Sequence, residues 1–300
     1  MTIKPSASRL CVIAVFGPTA SGKSAVAAAV ADRAPGDMIS ADAMKVYRGV
    51  PVLTNQPTEL TSLVGIWPLS HQASVGEYQE LAHVQVDRSL AAGRTPVVVG
   101  GSGLYLRAAI AELSLPPATP TNARQRYEAV YEREGAQAAH ALLTKRDPEA
   151  ASAIHRNDRK RVVRALELAE GGHSLRPAVD RLWSKATRHP TMIFGLELPA
   201  EALEKRIRAR TRRMIEGGAE AEARRAMSLA LSATARHVIG LEELTTLTST
   251  EAEDAIAVRT RRYAAYQRKW MRRIPCLTAL DATRSPDQLA NEILEVARSW

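Results

Sequence analysis

Short apolar runs alternate with longer amphipathic segments over residues 10–110 of the chain. The strongest runs are rich in valine and isoleucine and stop at glycine residues, which favours buried strands. Strands are predicted at Arg9–Phe16, Asp37–Ala41 and Thr95–Val99, and helices at Ser24–Ala34 and Val75–Ala92. In the second helix, Tyr78, Leu81, Ala82 and Val86 share one side, which we expect to be buried. Strands that alternate with helices predict an α/β fold in which helices cover a parallel sheet.

The pattern changes after the proline-rich segment Leu115–Asn122. This segment has no hydrophobic period, so we interpret it as a hinge or linker. From Ala123 to about Ala186 the chain has a helical pattern and no strand-like run, and the alternation returns after His189–Pro190. The elements predicted there are the strand Thr191–Leu198, the helix Leu203–Ala230 with an interruption at Gly217 and Gly218, the helix Ala255–Arg272, the strand Cys276–Leu280 and the helix Ser285–Ser299.

These patterns divide the chain into an α/β core and an inserted all-helical domain. We expect the core to occupy residues 1–118 and 189–300 and the insert to occupy residues 119–188. A chain of 300 residues is long enough for two domains. Its 45% apolar and 24% charged residues are typical of a folded globular protein.

Composition argues against several classes of protein. No apolar run approaches the roughly 20 residues of a membrane-spanning helix, and the first residues do not resemble a secretory signal. Two cysteines, Cys11 and Cys276, are too few for a disulfide scaffold or a cysteine-rich zinc site, and they fit a reduced, cytoplasmic setting. The net charge of +9 indicates a polyanionic partner.

A glycine-rich loop after the first predicted strand matches the phosphate-loop (P-loop) pattern G-x-x-x-x-G-K-[ST] at every fixed position. The backbone N–H groups of such a loop converge on an anion. Lys23 would add a positive charge at a phosphate oxygen, and Ser24 would offer its hydroxyl to Mg²⁺. We therefore expect a P-loop NTPase-like core, a phosphate-bearing substrate and Mg²⁺ as cofactor. The loop consists of Gly17, Pro18, Thr19, Ala20, Ser21, Gly22, Lys23 and Ser24.

Two further segments follow predicted strands and should lie at the same edge of the sheet, where open parallel sheets bind ligands. Asp42 follows the second strand, and its position fits a general base, a magnesium ligand or a helix cap. Gly100–Tyr105 follows the third strand and would bring the Ser102 hydroxyl to this edge.

Three basic clusters indicate a surface that follows nucleic-acid phosphates. Within the first of them, Arg161 and Arg164 are three residues apart and share one helix face. Trp270, four residues after Tyr266, is interpreted as helix core rather than as a base-stacking residue. The clusters are Arg156–Arg164, Lys205–Arg213 and Arg259–Arg273.

Taken together, these motifs resemble the tRNA dimethylallyltransferases, also called tRNA isopentenyltransferases. The phosphate loop GPTASGKS has the form found in that family. The similarity continues in family order to Ile274, and the block Asn157–Leu168 is its most specific part, because a generic P-loop enzyme does not need it. The other matching segments are ISADAMKVYRGVPVLTNQPT, VVVGGSGLYLRAAI, RDPEAASAIHRNDRKRVVRALELAEGG, ARHVIGLEEL and RTRRYAAYQRKWMRR.

The resemblance implies that the dimethylallyl group of dimethylallyl diphosphate passes to the exocyclic amine of the adenosine immediately 3′ of the tRNA anticodon. By position, Thr19 and Lys23 would act on the diphosphate oxygens and Ser24 would lie near Mg²⁺. Asp42 would take the proton from the amine, so that Asp42, Thr19 and Lys23 form the catalytic set. The positions that correspond to tRNA contacts in the family are Asp42, Ala43, Met44, Lys45, Ser102, Arg124, Asn157, Asp158, Arg159, Lys160 and Arg161.

The chain departs from the family pattern at three places. Lys45 stands where glutamine is usual, Ser102 stands where threonine is usual, and the segment Pro57–Tyr78 is shorter and lacks a histidine pair. Three other functions stay open: a P-loop small-molecule kinase, an isopentenyltransferase that acts on free adenine nucleotides, and a non-catalytic RNA-binding relative. The kinase would not need the block Asn157–Arg164 or the basic C-terminal helices, and the free-nucleotide enzyme would lack the helical insert. We expect the chain to be a monomer without membrane contact.

Overall fold

A computed structural model describes residues 10–116, 122–176 and 181–299. Its strands form one six-stranded sheet in the order β3-β2-β4-β1-β5-β6, and every neighbouring pair is parallel. The predicted α/β fold with a parallel sheet is therefore confirmed. The strands are β1 (Val12–Phe16), β2 (Gly36–Ser40), β3 (Thr61–Ser62), β4 (Thr95–Gly100), β5 (Thr191–Glu197) and β6 (Leu277–Asp281).

Helices flank this sheet and also form the inserted part of the chain. The 3₁₀ turn Ala235–His237 lies among them. The helices are α1 (Lys23–Arg33), α2 (Pro51–Thr54), α3 (Val75–Ala91), α4 (Gly103–Ile110), α5 (Ala123–Arg146), α6 (Pro148–Ala153), α7 (Arg159–Glu170), α8 (Ala200–Glu216), α9 (Ala219–Met227), α10 (Glu243–Thr246), α11 (Ser249–Met271) and α12 (Pro286–Ser299).

The central strand β1 positions the candidate site. All five of its residues are buried, and it pairs with β4 on one side and β5 on the other. Its last residue, Phe16, is in register with Gly100 of β4 and Gly195 of β5. The loops that follow β1, β2 and β4 therefore leave the sheet at the same edge, as expected for a parallel sheet.

The chain divides into two compact units: residues 1–112 with 182–300, and residues 113–181. The second unit thus begins at residue 113 and ends at residue 181. The sequence pattern predicts the insert at residues 119–188 instead. Arg107 explains the second limit, because its guanidinium donates to the carbonyls of Leu182 and Ser184 at 2.9 and 3.0 Å. Arg188 likewise forms an ion pair with Asp87 at 3.0 Å, so residues 182–188 pack with the α/β unit.

The structure corrects several predicted elements. Leu81 is 37% exposed, whereas Tyr78, Ala82 and Val86 are buried, because Leu81 lies at the margin of the apolar face of α3. α11 begins at Ser249 rather than Ala255, since Thr248 and Glu251 form a capping box that starts the helix earlier.

Glycine ends the basic helix predicted at Leu203–Ala230. The interruption is confirmed, because Gly218 has φ of 89° and separates α8 from α9. The insert has no strand among its described residues, as predicted, but its last helix ends at Glu170. Most of the predicted proline-rich hinge, residues 117–121, lies outside the described residues.

Candidate active site

The phosphate loop connects β1 to α1. Ala20 and Gly22 have positive φ values of 64° and 96°, and left-handed residues of this kind turn neighbouring N–H groups toward one concave side. Gly17 is required by packing, because a Cβ there would lie 2.7 Å from Ser21 Oγ and 3.1 Å from Leu196 Cβ. The loop is therefore a backbone cradle at a helix N-terminus, which is suited to an anion.

Lys23 is the first residue of α1 and is only 9% exposed. Its ammonium group donates to the carbonyl of Pro18 at 3.3 Å. Burial, assisted by the charge of Lys45, lowers the pKa of Lys23 to about 7 against the opposing attraction of Asp42. A buried ammonium group in this setting is stabilised when an anion binds beside it.

A cavity of about 760 Å³ opens beside the phosphate loop. Asp42 is the only carboxylate among its described lining residues, so the lining has a strong excess of positive charge. The cationic lining residues are Lys23, Lys45, Arg206, Arg210 and Arg213. Apolar side chains form other parts of the wall: Val52, Leu53, Met214, Val238, Ile239 and Ile256. This combination suits a ligand with a polyanionic head and a hydrocarbon tail.

Two arginines of α8 contact the phosphate loop directly. Arg210 donates to Thr19 Oγ1 at 2.5 Å, and Arg206 donates to the Ser21 carbonyl at 3.2 Å. Burial lowers the pKa of Arg210, although an arginine stays charged at neutral pH. The sequence analysis missed this role. Their spacing of four residues on a basic helix, which puts both on one face, is the signal that could have revealed it.

The cluster Lys205–Arg213 is therefore not the uniform RNA-facing surface that its charge predicted. Arg208 pairs with Asp254 at 3.1 Å, and Arg212 pairs with Glu253 at 3.0 Å. The cluster divides between arginines that line the cavity and arginines that join α8 to α11, because alternate helix faces meet different neighbours.

Asp42 follows β2 and lines the cavity together with Lys23 and Ser24. Its Oδ1 accepts hydrogen bonds from the backbone N–H groups of Met44 at 2.9 Å and Lys45 at 3.4 Å. Asp42 thus caps a turn rather than a helix. Its Oδ2 has no hydrogen-bond partner in the described part of the chain, so this oxygen is available to a ligand or a proton.

The glycine turn after β4 is tied to the segment that carries Asp42. Ser102 Oγ accepts a hydrogen bond from the Ala43 N–H at 3.1 Å and lies 3.2 Å from the hydroxyl of Tyr263 on α11. Burial holds the pKa of Tyr263 well above its usual value, so its hydroxyl keeps its proton. A Cβ on Gly100 would lie 1.9 Å from the Ala41 carbonyl oxygen, so only glycine permits this close approach.

Gln267 joins the phosphate loop to the glycine turn. Its Oε1 accepts from the Thr19 N–H at 2.7 Å, and its Nε2 donates to the Gly101 carbonyl at 2.9 Å. The side chain is 1% exposed. Tyr263 and Gln267 are four residues apart on α11, so one helix face holds the phosphate loop, the glycine turn and the Asp42 segment together. The sequence analysis did not identify Gln267. The signal that could have revealed it is a polar residue at a helix position that is expected to be buried.

We expect Gln267→Met to lower both stability and turnover. The thioether leaves a buried N–H and a buried carbonyl unpaired, at roughly 1–3 kcal/mol each. Without the hydrogen bond from its N–H, Thr19 should shift. A shift of about 1 Å at a reacting centre reduces kcat by about 100-fold. Gln267→Glu is the matched control, because its carboxyl, once protonated at low pH, again offers one donor and one acceptor. Thermal unfolding and steady-state kinetics measure both effects; a kcat unchanged in both variants would contradict the positioning role.

The shortened segment Pro57–Tyr78 folds against the residues that follow Asp42. The N–H of Gly65 donates to the Lys45 carbonyl at 2.8 Å, and the N–H of Trp67 donates to the Val46 carbonyl at 2.9 Å. Trp67 stacks on His71 with ring centroids 4.8 Å apart. This segment supports Lys45, which lines the cavity and whose pKa is lowered mainly by burial.

The remaining positions predicted to contact tRNA lie in the helical unit, residues 113–181. Arg124 is exposed and pairs with Glu128 at 3.1 Å. Asn157 and Lys160 are exposed. Asp158 caps α7 by accepting from the Arg161 N–H at 3.2 Å. These residues therefore present polar groups to solvent around the start of α7.

Three arginines of the same cluster form ion pairs, and the longest of these joins Arg161 to Asp158 at 3.6 Å. Arg159 pairs with Glu132 at 2.5 Å. Arg164 pairs with Glu167 at 2.8 Å, and this carboxylate is only 2% exposed. The two arginines on this helix face therefore differ in their surroundings: Arg164 neutralises a buried carboxylate, whereas the Arg161 side chain is 69% exposed.

Among the described residues, no group of three or more histidine, cysteine, aspartate or glutamate side chains is arranged to hold a metal ion. No helix in the described ranges is long and apolar enough to span a bilayer.

The fold and the site define a P-loop α/β protein with a cationic and partly apolar ligand cavity. Residues 45–274 match the model of the IPP transferase family, and the chain belongs to this family. This confirms the resemblance found in the sequence. The match begins after the phosphate loop, so the loop is an additional and independent feature.

Similar proteins cover nearly the whole chain. A tRNA dimethylallyltransferase of Salinispora tropica is 38% identical over 96% of this chain and 92% of its own length. One from Thermobifida fusca is 39% identical over 88% of both chains. The crystal structure of a full-length tRNA isopentenylpyrophosphate transferase from Bacillus halodurans aligns with a TM-score of 0.68 and 30% identity over 97% of this chain and 95% of that one.

Proposed function

We propose that this chain transfers the dimethylallyl group of dimethylallyl diphosphate to the exocyclic amine of the adenosine immediately 3′ of the anticodon in tRNA. The observation that carries the proposal is a single cavity that joins the phosphate loop, apolar walls and the free oxygen of Asp42. Membership of the IPP transferase family and the names of the relatives support it.

The diphosphate of the donor fits the cationic part of the cavity. The loop N–H groups would bind its oxygens, together with Lys23 and the guanidinium group of Arg210, which Thr19 orients. As the bond between the allyl carbon and the diphosphate oxygen breaks, its electron pair leaves with the diphosphate. Fixed positive charge stabilises this departing anion more than the bound donor, which lowers the barrier.

The residues around Ser24 would supply only part of the ligand set of a Mg²⁺ ion. Ser24 is half-buried, lines the cavity beside Asp42, and has no hydrogen-bond partner for its hydroxyl among the described residues. Since the protein offers few oxygen ligands, the ion would take most of its ligands from the diphosphate and water, as Mg²⁺ usually does. When bound, it would neutralise part of the diphosphate charge.

Asp42 is suited to be the general base. The lone pair of an adenine amine is delocalised, so the amine becomes a good nucleophile only if its proton is accepted as the new carbon–nitrogen bond forms. Oδ1 is held by the turn, and Oδ2 is free to take this proton. The base must be extruded from the anticodon loop to reach this position.

The helical unit is suited to bind tRNA. Lys160 and Arg161 are exposed at the start of α7, and exposed cations bind RNA phosphates in a salt-dependent manner. A kinase acting on a small molecule would not require such a basic surface.

The decisive experiment offers labelled dimethylallyl diphosphate together with unmodified tRNA, AMP or ATP as acceptor. We expect label only on tRNA, at the adenosine 3′ of the anticodon. Label on AMP or ATP would indicate the free-nucleotide enzyme instead. With ATP and no prenyl donor, phosphoryl transfer would indicate a kinase, and tRNA binding without any transfer would indicate a non-catalytic relative.

A further inference from the structure

The C-terminal half of α11 presents an aromatic side chain among cations. Tyr266 is 55% exposed. Helical spacing puts Arg262 four residues before it and Lys269 three residues after it on the same face, and Arg273 follows just beyond the helix end. These three cations are exposed, and none forms an ion pair within the described ranges.

The preceding turns of the helix differ in this respect. Arg259 pairs with Glu243 at 2.8 Å, and Arg261 pairs with Glu204 at 3.4 Å. Positive charge that no described carboxylate neutralises is therefore concentrated around Tyr266, where a polyanionic ligand would bind.

A stack of rings supports Tyr266 from one side. Trp270 meets Tyr266 edge-on, with ring centroids 6.5 Å apart at an angle of 73°. Trp270 is itself fixed between Trp183, 4.8 Å away, and Gly103, where a Cβ would lie 2.3 Å from the indole. The Arg273 guanidinium covers Trp183 at 3.8 Å. Tyr266 therefore has a pre-organised position and remains exposed.

This exposed ring lies next to the region that the acceptor base must enter. Tyr263, one turn earlier on α11, lines the cavity and lies 3.2 Å from Ser102 Oγ. Gly103, which contacts Trp270, is the next residue after Ser102. A nucleotide beside the acceptor would thus meet the α11 face that carries Tyr266.

We infer that Tyr266 is a stacking platform for an unpaired RNA base next to the acceptor adenosine, with Arg262 and Lys269 binding the adjoining phosphates. Exposed aromatic rings stack on bases of RNA loops, and neighbouring cations bind the backbone. The cations favour such a polyanion over an apolar protein partner. The identity of the RNA rests on the proposed function.

The test measures binding of an RNA hairpin that carries the anticodon loop, with transfer followed in the same samples. Tyr266→Ala should weaken binding by about 5- to 150-fold, the range for loss of one stacked base. Tyr266→Phe keeps the ring and should remain within about twofold of wild type. Leu229→Ala removes another exposed apolar side chain, 60% exposed, and should have no effect.

Salt dependence separates stacking from charge. Tyr266→Ala should leave the slope of log affinity against log salt unchanged, whereas Lys269→Ala should reduce it by about 1. Hairpins with a single abasic site then identify the stacked base. At one loop position next to the acceptor, the abasic change and Tyr266→Ala should not add.

Unchanged RNA affinity in Tyr266→Ala, or additive effects at every abasic position, would overturn the platform. Because wild-type transfer is recorded separately, the two hypotheses fail separately. A wild-type protein that binds the hairpin without prenylating it would contradict the proposed function, and the abasic data would still decide on Tyr266.

Discussion

Asp42→Asn is expected to slow prenyl transfer by about 100- to 10,000-fold, the usual contribution of a general base. The amide oxygen of asparagine can still accept from the N–H groups of Met44 and Lys45, so the turn is retained. The amide cannot take up the proton of the adenine amine. Single-turnover rates with saturating donor and tRNA measure the chemical step, and separately measured dissociation constants show any change in binding.

Asp42→Ala is the matched comparison, because it removes the turn cap as well as the base. If Asp42 only caps the turn, the asparagine variant should transfer at the wild-type rate and only the alanine variant should be impaired. If Asp42 is the general base, both variants should lose the same factor in rate, and only the alanine variant should also lose thermal stability.

The parts of this site that the sequence predicts are local in the chain. The phosphate loop needs a strand, two glycines, a lysine and a serine within one short segment. Each of these features acts together with backbone that is close to it along the chain. Asp42 and Ser102 were placed correctly at the edge of the sheet because parallel strands bring their following loops together.

The parts that the sequence did not predict depend on distant elements. Gln267 and Thr19 are separated by 248 positions, and Arg210 and Thr19 by 191. Hydrophobic period indicates that α8 and α11 are helices, but it does not show which polar residue turns inward. For the same reason, charge alone did not separate Arg164, which pairs with a buried carboxylate, from the exposed Arg161.

Lys23→Met should reduce kcat/KM for the donor by about 100-fold or more. The methionine fills the space of the buried stem but removes a positive charge where the diphosphate gains negative charge in the transition state. Affinity for tRNA in the absence of donor should be unchanged within about twofold, since the exposed cations that bind RNA phosphates remain. Lys205→Met removes a lysine whose side chain is 76% exposed and should behave like wild type.

The same lysine should make donor binding depend on pH. Its pKa is lowered to about 7 in the free protein, and a bound diphosphate stabilises the protonated form, so binding raises that pKa. Below pH 7 the ammonium group is already charged and affinity is highest. Above pH 7 each binding event must take up a proton, and affinity should fall by about tenfold per pH unit until the pKa of the complex is reached. The ratio of wild-type to Lys23→Met affinity removes the titration of the diphosphate itself. A ratio that stays constant between pH 6 and pH 9 would show that Lys23 does not bind the donor as a cation, and the assignment of the phosphate loop to the donor would then lose its main electrostatic support.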